Sequence, residues 1–222
     1  MTASRHWLSA PRPGVHPVEW LCEAIGTMIL LVGGLSAVCL DFGRGSWVAE
    51  HLSSTSLRLL ITGALFAATG SLVAISPIGR RSGAHLNPAV TLAFRITGHV
   101  HPHDLAGYWA AQFVGALCGA GVIRLMWGGV ARSVNFGVTH PGRGLTAAGV
   151  LGVEFLMSAI LLVVILAFVS SRALMHWTPL AAWVEACYTR LMRSRSIASR
   201  ARRTWPSSGW SRSACSIWRS ME

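Results

Sequence analysis

Four long apolar stretches set the strongest limit on how this chain can fold. They cover residues 20–40, 59–78, 105–127 and 145–169. A helix needs about 20 mainly apolar residues to cross the bilayer core, and lipid offers no hydrogen-bond partners to an irregular backbone. Only 12% of the 222 residues are charged, well below the roughly 25% typical of soluble domains. The sequence therefore predicts an all-α, multi-pass membrane protein with four complete spanning helices.

Two of these stretches carry a glutamate in the same register. The segments EAIGTMILLV (23–32) and EFLMSAILLV (154–163) align without a gap, so that Glu23 matches Glu154 and Thr27 matches Ser158. A charged side chain at the centre of a spanning helix costs about 2.5–3.5 kcal/mol and needs a partner. Because the second copy begins three crossings after the first, the pair predicts an inverted repeat of the kind found in transport proteins.

The segment RRSGAHLNPAVTLAFRITGH (80–99) joins the second and third apolar stretches. Asn87 and Pro88 are predicted to be the N-cap and first turn of a helix, because asparagine accepts from free backbone N–H groups and proline has none to lose. A helix from Pro88 to about Phe94 is too short to span a membrane. We therefore predict a re-entrant half-helix, with Glu23 and Glu154 accepting hydrogen bonds from the exposed backbone of such loops.

The loop SGAHLNPAVT, the two glutamates, Gln112 in the third stretch and the inverted repeat together resemble the major intrinsic protein family of aquaporins and glycerol facilitators. The resemblance covers roughly residues 18–183. It implies an aquaporin-like helical bundle that passes water or small neutral solutes such as glycerol, without enzymatic activity, cofactor or metal. It also implies a homotetramer in the lipid bilayer. For this chain, we expect that bilayer to be a bacterial inner membrane.

Roles for individual residues follow from the same resemblance. In the family, two half-helices meet at mid-membrane with their positive ends facing each other, which raises the barrier to protons and cations. The implied pore motif is Asn87, Pro88 and Ala89, with the Asn87 amide as donor to the solute. The implied pore-lining loop is Gly83, Ala84 and His85, through their backbone carbonyls, and the implied loop supports are Glu23, Glu154 and Gln112.

The sequence departs from the family pattern in its second half. The only other asparagine, Asn135, is followed by phenylalanine, so a second Asn-Pro-Ala motif is missing. Without that motif, no arginine can be assigned to the family's selectivity filter. The aromatic partner of that arginine is also open, because counting back from Asn87 reaches Ala67, with Phe66 one place away. The choice between water and glycerol stays open.

The last segment differs sharply in composition from the rest. We divide the chain into a cytoplasmic N-terminal segment (1–19), a channel domain with an incomplete second half (20–183) and a basic tail (184–222). All 19 basic residues are arginine, and eight of them lie between residues 190 and 219. A fifth helix that opens near residue 178 is therefore expected to remain incomplete, because arginines are costly within the membrane.

Three hypotheses address this tail. Its arginines could bind anionic lipid, or nucleic acid, although no folded nucleic-acid motif is present. We favour a shifted reading frame, because a GC-rich gene read out of frame yields arginine, serine and tryptophan. That hypothesis fails if the neighbouring frames downstream of about Trp183 do not restore a second Asn-Pro-Ala motif and a sixth apolar stretch. The corresponding functional alternatives are a non-conducting, truncated family member and a membrane-anchored protein that binds through its tail.

A histidine-rich loop precedes the third stretch. His99, His101 and His103 are loosely spaced around a proline, so we expect a solvated loop rather than a zinc site. Asp104 is predicted to cap the third helix. With the N-terminus in the cytoplasm, the arginines up to residue 172 divide six inside to five outside, a weak orientation signal.

Overall fold

The computed structural model describes residues 15–139 and 146–170, with side chains described as far as residue 167. All regular secondary structure in these two ranges is helical. In chain order the helices are α1 (Pro17–Phe42), α2 (Trp47–His51), α3 (Thr55–Ile75), α4 (Pro77–Ser82), α5 (Pro88–Ile96), α6 (Pro102–Ser133) and α7 (Ala147–Ser170), with a 3-10 turn at Asn135–Gly137 between the last two.

Four of the described helices are long and apolar enough to cross a membrane, namely α1, α3, α6 and α7. This confirms the predicted fold class, an all-α membrane bundle with four complete spanning helices. The predicted incomplete fifth helix and the basic tail lie outside the described residues. The domain boundaries after residues 19 and 183 stay predictions.

Helices α1 and α6 run parallel and form the most extensive contact in the bundle. Their approach depends on glycine. A Cβ atom added at Gly115 would lie 2.2 Å from the backbone oxygen of Ala24, and one at Gly119 would lie 2.9 Å from Cβ of Leu31. Small residues allow such close backbone contact in membrane helices. The four-residue spacing of Gly115 and Gly119 thus allows close packing between these two helices.

Helix α3 packs antiparallel to α1. The Phe66 ring lies against Gly34 of α1, where an added Cβ would meet it at 2.0 Å, while Ala67 is buried. Helix α3 also ends three residues earlier than the predicted limit of 78. The cause is Pro77, which restricts the preceding residue to an extended conformation and starts a new short helix, with Ser76 as its N-cap.

The segment from α4 to α5 enters and leaves on one side of the bundle. It joins the end of α3 to the start of α6, and two consecutive spanning helices meet on the same face of a membrane. Helix α5 buries Val90 and Phe94, which pack with Leu161 and Ile165 of α7. A non-spanning helix covered by protein in this way meets the requirement for a re-entrant half-helix.

Asp104 does not cap α6, and that prediction was wrong. The N-cap is His101, whose side chain accepts from the N–H of His103, so Asp104 lies in the first turn. The Asp104 carboxylate instead bonds Nδ1 of His16 at 2.7 Å and accepts from Nε1 of Trp20 at 3.0 Å. It therefore ties the start of α1 to the start of α6.

Candidate functional site

Asn87 begins the half-helix α5 in the manner the sequence predicts. Its Oδ1 accepts from the N–H of Ala89 at 2.8 Å, and its backbone oxygen accepts from the N–H of Thr91 at 3.0 Å. Pro88 occupies the first helical position, where a missing N–H costs nothing. Because Oδ1 is the acceptor in the cap, the amide NH₂ of Asn87 points away from its own helix.

The loop before Asn87 has a strained backbone. Gly83, Ala84 and Leu86 all have positive φ, at 91°, 46° and 53°. The left-handed conformation costs a residue with a Cβ roughly 1–2 kcal/mol, so Ala84 and Leu86 must be held by their surroundings. Since Gly83, Ala84 and His85 lie between α4 and α5, their carbonyl groups are outside the hydrogen-bond ladder of either helix.

Glu23 is the buried acceptor that holds this loop. Its side chain is 0% exposed, and its Oε1 accepts from the backbone N–H of Leu86. The same oxygen accepts from Nε2 of Gln112 on α6 at 2.8 Å. A buried carboxylate needs such donors to offset its desolvation. Glu23 therefore joins α1 to both the strained loop and α6.

Gln112 extends this arrangement to the half-helix. Its Nε2 donates both to Glu23 and to Oγ1 of Thr91, the latter at 2.9 Å. The Thr91 hydroxyl in turn donates to the backbone oxygen of Asn87 at 3.1 Å. Hydrogen bonds thus run from Asn87 through Thr91, Gln112 and Glu23 to Leu86, and close a ring around the left-handed loop.

His85 is enclosed by aromatic rings. Its imidazole stacks on the Phe94 ring, with 4.8 Å between the ring centroids. The Tyr108 ring is tilted relative to the imidazole, with 5.0 Å between their centroids. The His85 side chain is buried, with only 8% of its surface exposed.

Tyr108 fixes the start of the loop through its hydroxyl, which donates to the backbone oxygen of Ser82 at 2.5 Å. Tyr108→Phe keeps the ring against His85 and removes only this donor. We expect it to lower the free energy of unfolding by about 1–2 kcal/mol, because a buried carbonyl loses its partner. Thermal unfolding of the purified protein in detergent measures the change, and a variant as stable as the parent would contradict the assignment.

Glu154 occupies a different environment from Glu23. It lies on α7 with its side chain exposed, and the ring of hydrogen bonds around the loop does not include it. Three contributors were missed in the sequence: Thr91, Tyr108 and Trp109, whose Nε1 donates to the backbone oxygen of Pro88 at 3.1 Å. Helical spacing gave a signal for two of them, since Thr91 lies one turn after Asn87 and Tyr108 one turn before Gln112.

The candidate metal ligands do not form a cluster. Within residues 15–139 and 146–170, no group of three or more histidine, cysteine, aspartate or glutamate side chains is placed to hold a metal ion. His101 and His103 lie near each other, with 5.1 Å between their ring centroids, whereas the His99 ring packs edge-on against Phe94.

Comparison with known proteins gives a consistent result. A family model described as Major intrinsic protein matches residues 17–192. Aquaporin Z of Brucella melitensis biotype 1 is 30% identical over 167 residues, which cover 72% of this chain and 68% of the relative. Aquaporin NIP1-1 of Zea mays is 32% identical over 121 residues, covering 54% of this chain and 39% of the relative. Aquaporin NIP1-3 of Oryza sativa subsp. japonica is 31% identical over 145 residues, covering 65% and 46%.

The length of these matches differs between the relatives. The chain spans about two thirds of the bacterial relative and less than half of each of the two plant relatives. The match to the family model, residues 17–192, includes all four spanning helices and the re-entrant segment.

Proposed function

The chain belongs to the major intrinsic protein family, and from this membership we propose that it is a subunit of a passive transmembrane channel for water or small neutral solutes such as glycerol. The family consists of channels rather than enzymes. As further proposals, the subunit forms a homotetramer in the lipid bilayer of a bacterial inner membrane, without nucleic acid as a partner.

One observation carries this proposal. Asn87 caps the half-helix α5, and Glu23 and Gln112 hold the loop before it through hydrogen bonds. The Asn87 side chain uses Oδ1 for its own helix, which leaves its NH₂ group to donate to a passing oxygen. The positive end of the α5 dipole lies at the same residue. A donor beside a positive helix end suits a neutral solute with a lone pair and opposes a cation.

The loop before Asn87 supplies the complementary groups in this proposal. Gly83, Ala84 and His85 offer backbone carbonyls as acceptors for the hydrogens of a water or an alcohol. Glu23 and Gln112 hold the loop in its left-handed conformation. We propose the same supporting role for Glu154 in the second half, whose residues after 170 lie outside the described ranges.

Asn87→Asp tests the proposal, since aspartate keeps the capping oxygen and loses the amide donor. We expect the parent to pass water or glycerol above the lipid-only rate in osmotic light scattering on proteoliposomes. The variant is expected to conduct about tenfold less, because a donor worth about 1.4 kcal/mol at the barrier is removed.

Lipid-only rates for the parent chain would contradict conduction and favour the non-conducting alternative. Equal rates for parent and Asn87→Asp would instead contradict the role of the amide while leaving conduction intact. Retention on anionic vesicles, lost when residues 186–222 are deleted, would favour the membrane-anchored binder. The thermal stability of each variant serves as the folding control.

A further inference from the structure

Three buried polar atoms, two of them on the Glu23 and Gln112 side chains, have no direct hydrogen-bond partner. They are Oε2 of Glu23, Oε1 of Gln112 and Oγ1 of Thr27. The three side chains are 0%, 2% and 3% exposed. An unpaired buried polar atom destabilises a fold, so three of them on two contacting helices require an explanation.

Glu23 and Thr27 lie on α1 and Gln112 lies on α6, the two helices in most extensive contact. The Gln112 and Glu23 side chains are already in contact, with 2.8 Å between Nε2 and Oε1. Thr27 follows Glu23 by one helical turn, so their side chains are neighbours on the same face of α1. The unpaired atoms are the far oxygens of the two contacting groups and the hydroxyl one turn along.

Exchanging the oxygen and nitrogen positions of the Gln112 amide cannot provide the missing hydrogen bonds. The Thr91 hydroxyl gives its hydrogen to the Asn87 backbone oxygen and can therefore only accept from Gln112. Glu23 Oε1, which also accepts from the Leu86 N–H, lies 2.8 Å from the Gln112 amide and can only accept there. Both neighbours thus require the NH₂ group of Gln112, and Oε1 must point the other way.

The group consequently contains more acceptors than donors. Glu23 Oε2 and Gln112 Oε1 both accept, and only the Thr27 hydroxyl carries a hydrogen. The Ser82 hydroxyl and the His85 N–H also face the Glu23 carboxylate, yet neither makes a direct hydrogen bond to Oε2. At least one further hydrogen is needed at this place, and none of the three groups can supply it.

We propose that these three side chains bind one internal water molecule. The water donates one hydrogen to Glu23 Oε2 and the other to Gln112 Oε1, and it accepts the hydroxyl hydrogen of Thr27. Three hydrogen bonds to otherwise unpaired groups are typical of buried water. The water completes the ring that holds the loop, so its role is to position Gln112 and Glu23, whether or not the chain conducts.

A structure of the full chain at about 2 Å resolution tests the site directly. We expect a density peak about 2.6–3.2 Å from all three oxygens. The peak should persist in Thr27→Ser, which keeps the hydroxyl, and should be lost in Thr27→Val, which has nearly the same shape. Absence of the peak in the parent, with the Glu23 and Gln112 oxygens in direct contact or the Thr27 hydroxyl bonded to an α1 carbonyl, would overturn the proposal.

Melting temperature gives a second, independent measurement. We expect Thr27→Val to melt about 2–4 °C below the parent in detergent and Thr27→Ser to lie closer to the parent. Equal melting of Thr27→Val and the parent would count against a bound water. If Thr27→Val does not fold, the density in the parent alone decides the question.

Discussion

Glu23→Ala is expected to lower the free energy of unfolding by about 3–5 kcal/mol. The variant removes the acceptor of two buried donors, the Leu86 N–H and the Gln112 NH₂ group. Each unpaired donor costs roughly 1–3 kcal/mol, and the lost side-chain volume adds to this. Because Ala84 and Leu86 lie in left-handed conformations, the loop is also expected to relax, with loss of any solute flux. Thermal unfolding in detergent measures the first effect and proteoliposome light scattering the second.

Glu23→Gln is the matched control for this prediction. Glutamine keeps an Oε1 acceptor in the same place, so the Leu86 N–H and the Gln112 amide retain their partner. Its NH₂ group replaces Oε2 and can donate toward Gln112 Oε1, one of the unpaired acceptors. We therefore expect a loss below about 1 kcal/mol. If the glutamine variant were as unstable as the alanine variant, the negative charge rather than the acceptor would be what the loop requires.

The start of the half-helix could be predicted from the sequence because its causes are local. Asn87 satisfies an N–H group two residues away, and Pro88 fits a position that depends only on its neighbours. Glu23 could be connected to the loop for a different reason: a buried carboxylate needs donors, and a broken helix has free ones. In both cases one unsatisfied group indicated the presence of another.

The same logic failed where a partner depends on the register between helices. Asp104 had a plausible local role as an N-cap, yet it bonds His16 and Trp20 from a helix more than eighty residues away. Thr91 likewise reaches the loop support only because Gln112 lies opposite Glu23. No short-range sequence pattern gives the axial register between α1 and α6, so these contacts could not be derived from the sequence.

That register depends on close contact at Gly115, and Gly115→Ala should disturb it strongly. The added Cβ would lie 2.2 Å from the backbone oxygen of Ala24, which cannot rotate away as a side chain could. We expect α6 to shift from α1 and the free energy of unfolding to fall by about 3 kcal/mol, at the upper end of overpacking effects. Gln112 lies one turn before Gly115, so its bond to Glu23 should weaken as well.

Gly121→Ala on the same helix provides the control, because a Cβ at that exposed position meets nothing within 4 Å. We expect this variant to unfold at the parent's temperature or slightly above, since alanine favours a helix over glycine. Paired thermal unfolding curves in detergent compare the two. Equal losses in both variants would indicate that α6 does not tolerate larger residues in general. A loss confined to Gly115→Ala would show that close contact with α1 sets the axial register in which Gln112 meets Glu23.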